Sequence, residues 1–250
     1  MSEPSDGLAA VTALILAGGL GTRLRPVVGD RPKALVEVDG RPFITYLLDQ
    51  LADAGLRHVV LCTGFGAEKV RERLGDSYGP LRLAYSEEPE SLGTAGALRL
   101  ALPLVGSDPV LVMNGDSFCQ AGLDGLWQWH RSRPAQGSLL LTRVPDTSRY
   151  GRVQVAGDGA VQGFQEKSSS GGPGWISAGI YLLSRALLES IPPGQCVSIE
   201  REVFPAWVGR GLYGCQAGGR FLDFGTPQTL ALLPAFLAQL TPPERKRARA

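Results

Sequence analysis

The chain has 250 residues, 44% of them hydrophobic, with 25 Lys and Arg against 24 Asp and Glu for a net charge of +1. That length suits one large domain with a substantial core, and the near-neutral balance gives no broad basic surface for nucleic acid or an anionic membrane. No apolar run approaches the ~20 residues needed to cross a bilayer, and the four cysteines (Cys62, Cys119, Cys196, Cys215) are widely spaced without a CxxC pair, which points to reduced thiols in a cytoplasmic setting rather than a zinc or redox motif.

Residues 1–10, polar and Pro/Gly-bearing, read as a loose terminus rather than a targeting peptide. Ala13 to Ala17 is an apolar run of the kind a buried parallel strand shows. Gly18, Gly19 and Gly21 follow it, then Arg23, Arg25, Arg31 and Lys33, with Pro26 and Pro32 stiffening the cations' presentation. A glycine loop lets the backbone approach a ligand, and its successive N–H groups make an anion-binding concavity. Strand, glycine loop and fixed cations together describe a polyphosphate site. The stretch is neither of two familiar phosphate motifs. It lacks the third glycine of the dinucleotide fingerprint, and the chain has no Gly-Lys pair for a P-loop.

Arg41-Pro42 is read as opening a helix with Phe43, Leu47, Leu51 and Ala54 on one face, stopped by Gly55. Val59 to Thr63 reads as a buried strand, Ala67 to Leu74 as a charged helix, and Leu81 to Tyr85 as a more exposed strand. Thr94 is placed to cap a helix ending at Pro103. Pro109 to Met113 is a further strand, so strands and helices alternate as in βαβ units. Beyond it come a helix at Leu123 to His130, a strand at Leu139 to Val144, and a hairpin of Gly151 to Val155 with Ala160 to Gln165. Ser168 to Gly174 is composed like a mobile loop. Ile176 to Leu183 is a strand, followed by helices near Ala186 to Ser190 and Ile199 to Val208. Arg220 to Phe224 is a short strand, Pro227 to Leu240 a final helix, and 241–250 a basic, solvated tail.

Three carboxylate-bearing segments stand out. Asn114-Gly115-Asp116 ends an apolar strand, and the carboxyl ends of strands are where ligands collect in open α/β sheets. Arg-Phe-Leu-Asp223-Phe-Gly-Thr-Pro spells the kinase metal motif, but without a His-Arg-Asp catalytic loop that match is accidental; Thr226-Pro227 doubles as a helix N-cap. Glu166-Lys167 follows the strand ending at Gln165. Ser117 and Cys119 have no suitably placed histidine, and His58 and His130 read as surface or core residues, so no covalent intermediate is expected.

Leu-Ala-Gly-Gly-Leu-Gly-Thr-Arg-Leu-Arg-Pro followed by Arg-Pro-Lys33 resembles the signature of the sugar-1-phosphate nucleotidyltransferases, and matching patches continue to about residue 227. The resemblance implies a three-layer α/β/α Rossmann-like domain with a mostly parallel mixed sheet, nucleotidyltransferase or GT-A-like, joining an NTP to a sugar 1-phosphate with Mg²⁺ and releasing pyrophosphate. A single domain would run over residues 11–240, with a nucleotide-binding half at 11–116 and a sugar-binding half at 117–240. By resemblance Arg23, Lys33, Asp116 and Lys167 are catalytic, and Asp116 and Asp223 share the metal. The nucleotide would meet Leu16, Ala17, Gly18, Gly19, Gly21, Thr22, Arg23, Lys33, Glu87, Gly93, Thr94, Asn114 and Gly115. The base would lie against Gly93, with Glu87 or Glu88 accepting from guanine. The sugar phosphate would meet Gly151, Glu166, Lys167, Ser177, Gly179 and Thr226.

Two features depart from the family pattern. Ser168-Ser-Ser-Gly-Gly-Pro stands where a proline often follows the Glu-Lys pair, and Ser177-Ala-Gly replaces the more usual Asn-Ala-Gly. Within the family, residues 87–98, Val27-Val28 and 197–205 look most like the heptose 1-phosphate guanylyltransferases. That implies GTP and D-glycero-α-D-manno-heptose 1-phosphate as substrates. The alternatives are a uridylyl- or thymidylyltransferase acting on a hexose or amino-sugar 1-phosphate, a non-catalytic sugar-nucleotide sensor on the same fold, and a Rossmann dehydrogenase. The last is disfavoured by the missing glycine and by the cations. The sequence leaves oligomeric state open, a homo-oligomer included.

Overall fold

The computed structural model describes residues 7–19, 21–165, 171–217 and 219–239. The expectations for residues 1–6, for Glu166, Lys167 and 168–170, and for the basic tail lie outside the described residues. The expected loose terminus is already corrected at Leu8, which sits in a short turn and is 3% exposed within the core.

In the first half β1 (Thr12–Leu16) leads through α1 (Arg25–Val28), β2 (Glu37–Val38), β3 (Arg41–Pro42) and α2 (Ile44–Asp53) to β4 (His58–Thr63). Then come α3 (Ala67–Leu74), β5 (Ser77–Tyr78), β6 (Leu81–Glu87), α4 (Gly93–Ala101) and β7 (Val110–Asn114). Arg41-Pro42 does not open α2 as expected, because β3 pairs antiparallel with β2 and the helix starts only at Ile44. The second half runs β8 (Ser117–Cys119), α5 (Leu123–Arg131), β9 (Gly137–Val144), β10 (Arg152–Val155), β11 (Val161–Gln165) and β12 (Gly174–Leu183). It finishes with α6 (Arg185–Glu189), a π-turn at Ile199–Val203, α7 (Phe204–Ala206), β13 (Leu212–Cys215), β14 (Phe221–Asp223) and α8 (Pro227–Leu237).

One mixed sheet carries most of these strands. Its centre, β7-β1-β4-β6, is parallel, and β12 joins antiparallel to β7 and extends the sheet toward β10 and β11. Along β1 the two-residue side-chain period sends Ala13 and Ile15 into one core and Leu14 into the other. The first core is covered by Leu47, Leu48 and Leu51 of α2 with Leu126 of α5 and Leu233 of α8. The second is covered by Leu98 of α4, Leu187 of α6 and Phe204. Helices therefore coat both faces, the three-layer arrangement expected.

The order of connections decides where a ligand can enter. From β1 the chain moves outward to β4 and β6 with α2 and α3 packed on the first core, then returns with α4 on the second core to place β7 on the other side of β1. The strand order thus reverses between β1 and β7. In open α/β sheets the crevice at the carboxyl ends of such a pair is the ligand site.

Candidate active site

The carboxyl ends of β1 and β7 are drawn together at Gly115, whose N–H donates to the Leu16 carbonyl at 2.9 Å. A Cβ on Gly115 would run into that same carbonyl, so the residue between Asn114 and Asp116 has to be glycine for the strands to close. The loop after β1 opens there. Ala17 is tied back to the Cys62 carbonyl at 2.8 Å, and Gly21 takes a φ of 57°. Thr22 and Arg23 are exposed on its outer part.

Lys33 reaches back from the far side of the loop to Asp116, with Nζ 2.9 Å from Oδ2. Its side chain is only 11% exposed and also lies over the Phe224 ring, 4.9 Å from the centroid. Asp223 is brought to the same corner by pairing of β14 with β8, in which Asp223 faces Ser117 and the Phe224 N–H donates to the Asp116 carbonyl at 3.2 Å. Tyr150 donates its hydroxyl to Asp223 Oδ1 at 2.6 Å, and the Arg149 guanidinium is 3.6 Å from the same oxygen. Arg23 closes the corner from the loop side. A Cβ on Gly225 would be 3.4 Å from both its Nη2 and Asp223 Oδ2. Lys33 and Arg149 thus each engage one carboxylate oxygen, leaving Asp116 Oδ1 and Asp223 Oδ2 outside those ion pairs.

This donor set fits a hard cation that takes one or two carboxylates and completes its shell with phosphate oxygens and water. No group of three or more His, Cys, Asp or Glu side chains that could hold a metal occurs among the described residues.

The nucleotidyl transferase family profile spans residues 12–239 of the chain. The chain belongs to that family. Over 222 residues it is 39% identical to the mannose-1-phosphate guanylyltransferase catalytic subunit beta of Drosophila pseudoobscura pseudoobscura, covering 86% of this chain and 59% of the relative. It is 37% identical to the mannose-1-phosphate guanylyltransferase of Mycobacterium tuberculosis, covering 87% and 62%. The chain therefore spans about three fifths of the length of these relatives. Among solved structures, HddC from Yersinia pseudotuberculosis complexed with GMP-PN superposes with a TM-score of 0.78 at 28% identity, covering 90% of this chain and 98% of HddC.

Of the two neighbouring acids, the one at the glycine loop is Glu88, not Glu87. Glu87 ends β6 exposed, whereas Glu88 turns in so far that a Cβ on Gly18 would be 2.6 Å from its Oε1. Burial pushes the Glu88 carboxyl up, and the hydrogen bond its Oε2 accepts from the Leu92 N–H opposes that shift. Gly93 carries a packing constraint, and the capping role expected of Thr94 is corrected. Gly93 has a φ of 67°, and the space a Cβ would fill is taken by the Val197 carbonyl, 2.6 Å away. The fold therefore requires glycine at this position. Thr94 does not cap α4; its hydroxyl accepts the Ile199 N–H at 2.9 Å.

Gly179, with a φ of 73°, packs against the Asn114 and Ser117 side chains, so the middle of β12 meets the end of β7. Asn114 and Gly179 thus lie side by side, although the resemblance gives the first to the nucleotide and the second to the sugar. Gly151 touches the Gln165 carbonyl, one residue before Glu166. Thr226 is fully used as the cap of α8, where its side chain and that of Thr229 exchange hydrogen bonds with each other's backbone. Sequence reasoning matched Tyr150, with Gly151, to the sugar pocket without its bond to Asp223, and it missed Arg149 and Tyr181. Arg149-Tyr150 beside Gly151 was the available signal.

Two negative expectations bear on chemistry. Cys62 and Cys119 are buried and their thiols are pushed up by burial, Cys119 to about 12, so neither is a nucleophile near neutral pH. His130 is buried against Ser138 at 2.9 Å, a core histidine. A separate concavity of about 390 Å³, bordered by Thr12, His58 and Arg82, lies at the amino ends of β1 and β4, away from these groups. No described helix is long and apolar enough to cross a membrane.

Proposed function

We propose that the protein is a sugar-1-phosphate guanylyltransferase that joins GTP to a manno-configured sugar 1-phosphate and releases pyrophosphate. The observation that carries this reading is the Lys33–Asp116–Asp223–Arg23 corner at the strand-order reversal, in a chain 39% and 37% identical to two proteins described as mannose-1-phosphate guanylyltransferases. An oxygen of the sugar 1-phosphate attacks the α-phosphorus in line, one P–O bond forms, and the α–β bridging bond breaks. A phosphate monoester is already anionic near neutral pH, so the protein's task is positioning and charge compensation rather than proton abstraction. Arg23 and Lys33 compensate the triphosphate and the leaving pyrophosphate. Asp116 and Asp223 are the residues to hold Mg²⁺, which when bound would draw the phosphates together and offset their charge. Glu88 supplies the acceptor for guanine's adjacent donors. Lys167 orients the sugar phosphate and Glu166 its hydroxyls, a role taken from the family pattern.

Mannose 1-phosphate is favoured by the relatives' names and D-glycero-α-D-manno-heptose 1-phosphate by the segments 87–98 and 197–205; the two share the manno ring. The test is pyrophosphate release in competition among GTP, UTP, dTTP, CTP and ATP with mannose, heptose and glucose 1-phosphates. Guanylyl transfer to a manno-configured sugar is expected. A preference for UTP or dTTP overturns the base, and no release with any pair overturns the reaction.

A further inference from the structure

Two acids stand on the π-turn at Ile199–Val203, and local structure explains only one. Glu202 accepts the Ser198 N–H at 2.8 Å while the Ser198 hydroxyl accepts the Arg201 N–H at 3.3 Å, a reciprocal cap. Glu200 makes no such contact. Although exposed, it accepts at 2.7 Å the hydroxyl of Tyr181, a side chain with no solvent exposure at all. The Tyr181 oxygen in turn accepts the Ser177 hydroxyl at 3.1 Å and is also hydrogen-bonded by the Asn114 side chain. Ser177 accepts the Gly179 N–H at 3.2 Å.

The direction of every proton in this chain follows. Gly179 donates to Ser177, Ser177 and Asn114 to Tyr181, and Tyr181 to Glu200. What remains at its ends are acceptors. One Glu200 oxygen lies outside the tyrosine contact, and Asn114 Oδ1 is buried with no hydrogen-bond partner among the described residues. Asn114 ends β7 where β12 runs beside it, next to Gly115-Asp116 in the chain, and Glu200 is tied to it through the Tyr181 hydroxyl. The turn bearing Glu200 is held there from the other side by Ile199 on Thr94 and by Val197 on Leu92 and Ala95. π-turns of this kind recur at functional sites.

We propose that Glu200 determines sugar specificity by accepting a hydroxyl of the sugar 1-phosphate, and that Tyr181 is the positioning residue that holds its carboxylate. This rests on the guanylyltransferase reading. A carboxylate accepts and does not donate, so the site takes neutral sugars with that hydroxyl free. It disfavours deoxy sugars and, by like charge, uronic acids.

The test uses the full chain with GTP and mannose 1-phosphate, its 2-, 3-, 4- and 6-deoxy analogues and mannuronic acid 1-phosphate. Wild type is expected to lose about 10- to 100-fold in kcat/KM on at least one deoxy analogue, the range for a hydrogen bond to a charged group. Glu200→Ala is expected to bring mannose 1-phosphate down to that analogue's level and so abolish the difference. It should also relax rejection of the uronic acid. Tyr181→Phe, which keeps the ring against Phe204, is expected to raise the sugar KM with the GTP KM unchanged. Should Glu200→Ala not fold, Glu200→Gln preserves an acceptor for Tyr181 and is expected to relax the uronic-acid rejection alone. An unchanged deoxy and uronic-acid profile in the folded Glu200 variants overturns the proposal, as does an equal rise in the GTP KM. If wild type uses UTP instead of GTP, the same panel is run with UTP and the base assignment alone falls. If it transfers no nucleotide, both readings fall.

Discussion

Asp116 and Asp223 present the same group to the same corner, but they are held in different ways. Asp116 follows β7, a central strand of the main sheet, and its partner Lys33 is almost enclosed. Asp223 ends β14, half of a two-stranded ribbon off that sheet, and its partners are Tyr150 and a half-exposed Arg149. In the first ion pair the cation is enclosed and the Asp116 carboxylate half-exposed, so solvent screens it from one side only. In the second the cation is half-exposed over a more covered carboxylate, and an ion pair with a water-exposed cation contributes little to stability. The difference sets an enclosed cation beside Asp116 and a water-exposed one beside Asp223, which makes the Lys33 side the more firmly held of the two.

The sharpest way to break that contrast is at the carboxylates. Asp116→Asn is expected to lower turnover by about 10³-fold or more, because the amide neither replaces the charge nor pairs with Lys33. Asp223→Asn is expected to be severe as well, but with part of the loss recovered by raising Mg²⁺. Initial rates across a Mg²⁺ titration check both, and equal, unrecoverable losses would remove the distinction. Next in size, Lys33→Ala should cost on the order of 10²-fold in kcat with the fold intact by circular dichroism. Near-normal turnover would take the loop out of the mechanism. Arg149→Ala, on the exposed pair, should change kcat/KM by no more than about fivefold. A loss as large as that of Lys33→Ala would show that exposure misjudges its role.

A stability test bears on the frame itself. Gly115→Ala puts a methyl group into the Leu16 carbonyl and is expected to cost about 1–3 kcal/mol in denaturant unfolding, as overpacking does. The smallest effect expected is at His130, whose ring is held below the usual histidine range by burial. The unfolded chain binds that proton more readily than the folded one. Its contribution to stability is therefore complete above the ordinary histidine value of about 6.5 and is lost as pH falls through the lower folded value. Melting temperature against pH for wild type and His130→Gln should show that decline in wild type alone.

The parallel core was legible because strands buried on both faces demand continuous apolar runs, and Ala13–Ala17, Val59–Thr63 and Pro109–Met113 supply them; helix α3 matched its expected bounds. β13 was not legible. Leu-Tyr-Gly-Cys carries no alternation and becomes a strand only by lying parallel to β9, some 70 residues earlier. Thr94 has the residue type and position of a cap, and only the distant Ile199 N–H shows that its hydroxyl is used elsewhere. Glu87 and Glu88 are alike in sequence; the strand ends between them, so period-two reasoning cannot say which turns inward. The candidate site divides in the same way. Its glycines and cations lie close together in sequence and could be read directly. Glu200 stands out in Ser-Ile-Glu-Arg-Glu as a residue for sugar hydroxyls, but its contact with Tyr181 is made across a strand and a turn and could not be read.

The seating of Val197 on the turn before α4 has a practical consequence for anyone retuning the base. At Gly93 a side chain meets the Val197 carbonyl, and at Gly96 a Cβ would sit 2.5 Å from the Gln195 carbonyl. Both positions are closed to randomisation, whatever lies in the pocket. On the proposed guanine reading, a combinatorial library aimed at a different nucleobase therefore has its useful diversity at Glu88, Pro89, Glu90 and Ser91. Colonies carrying changes at the two glycines would be lost to misfolding before any selection on substrate could act.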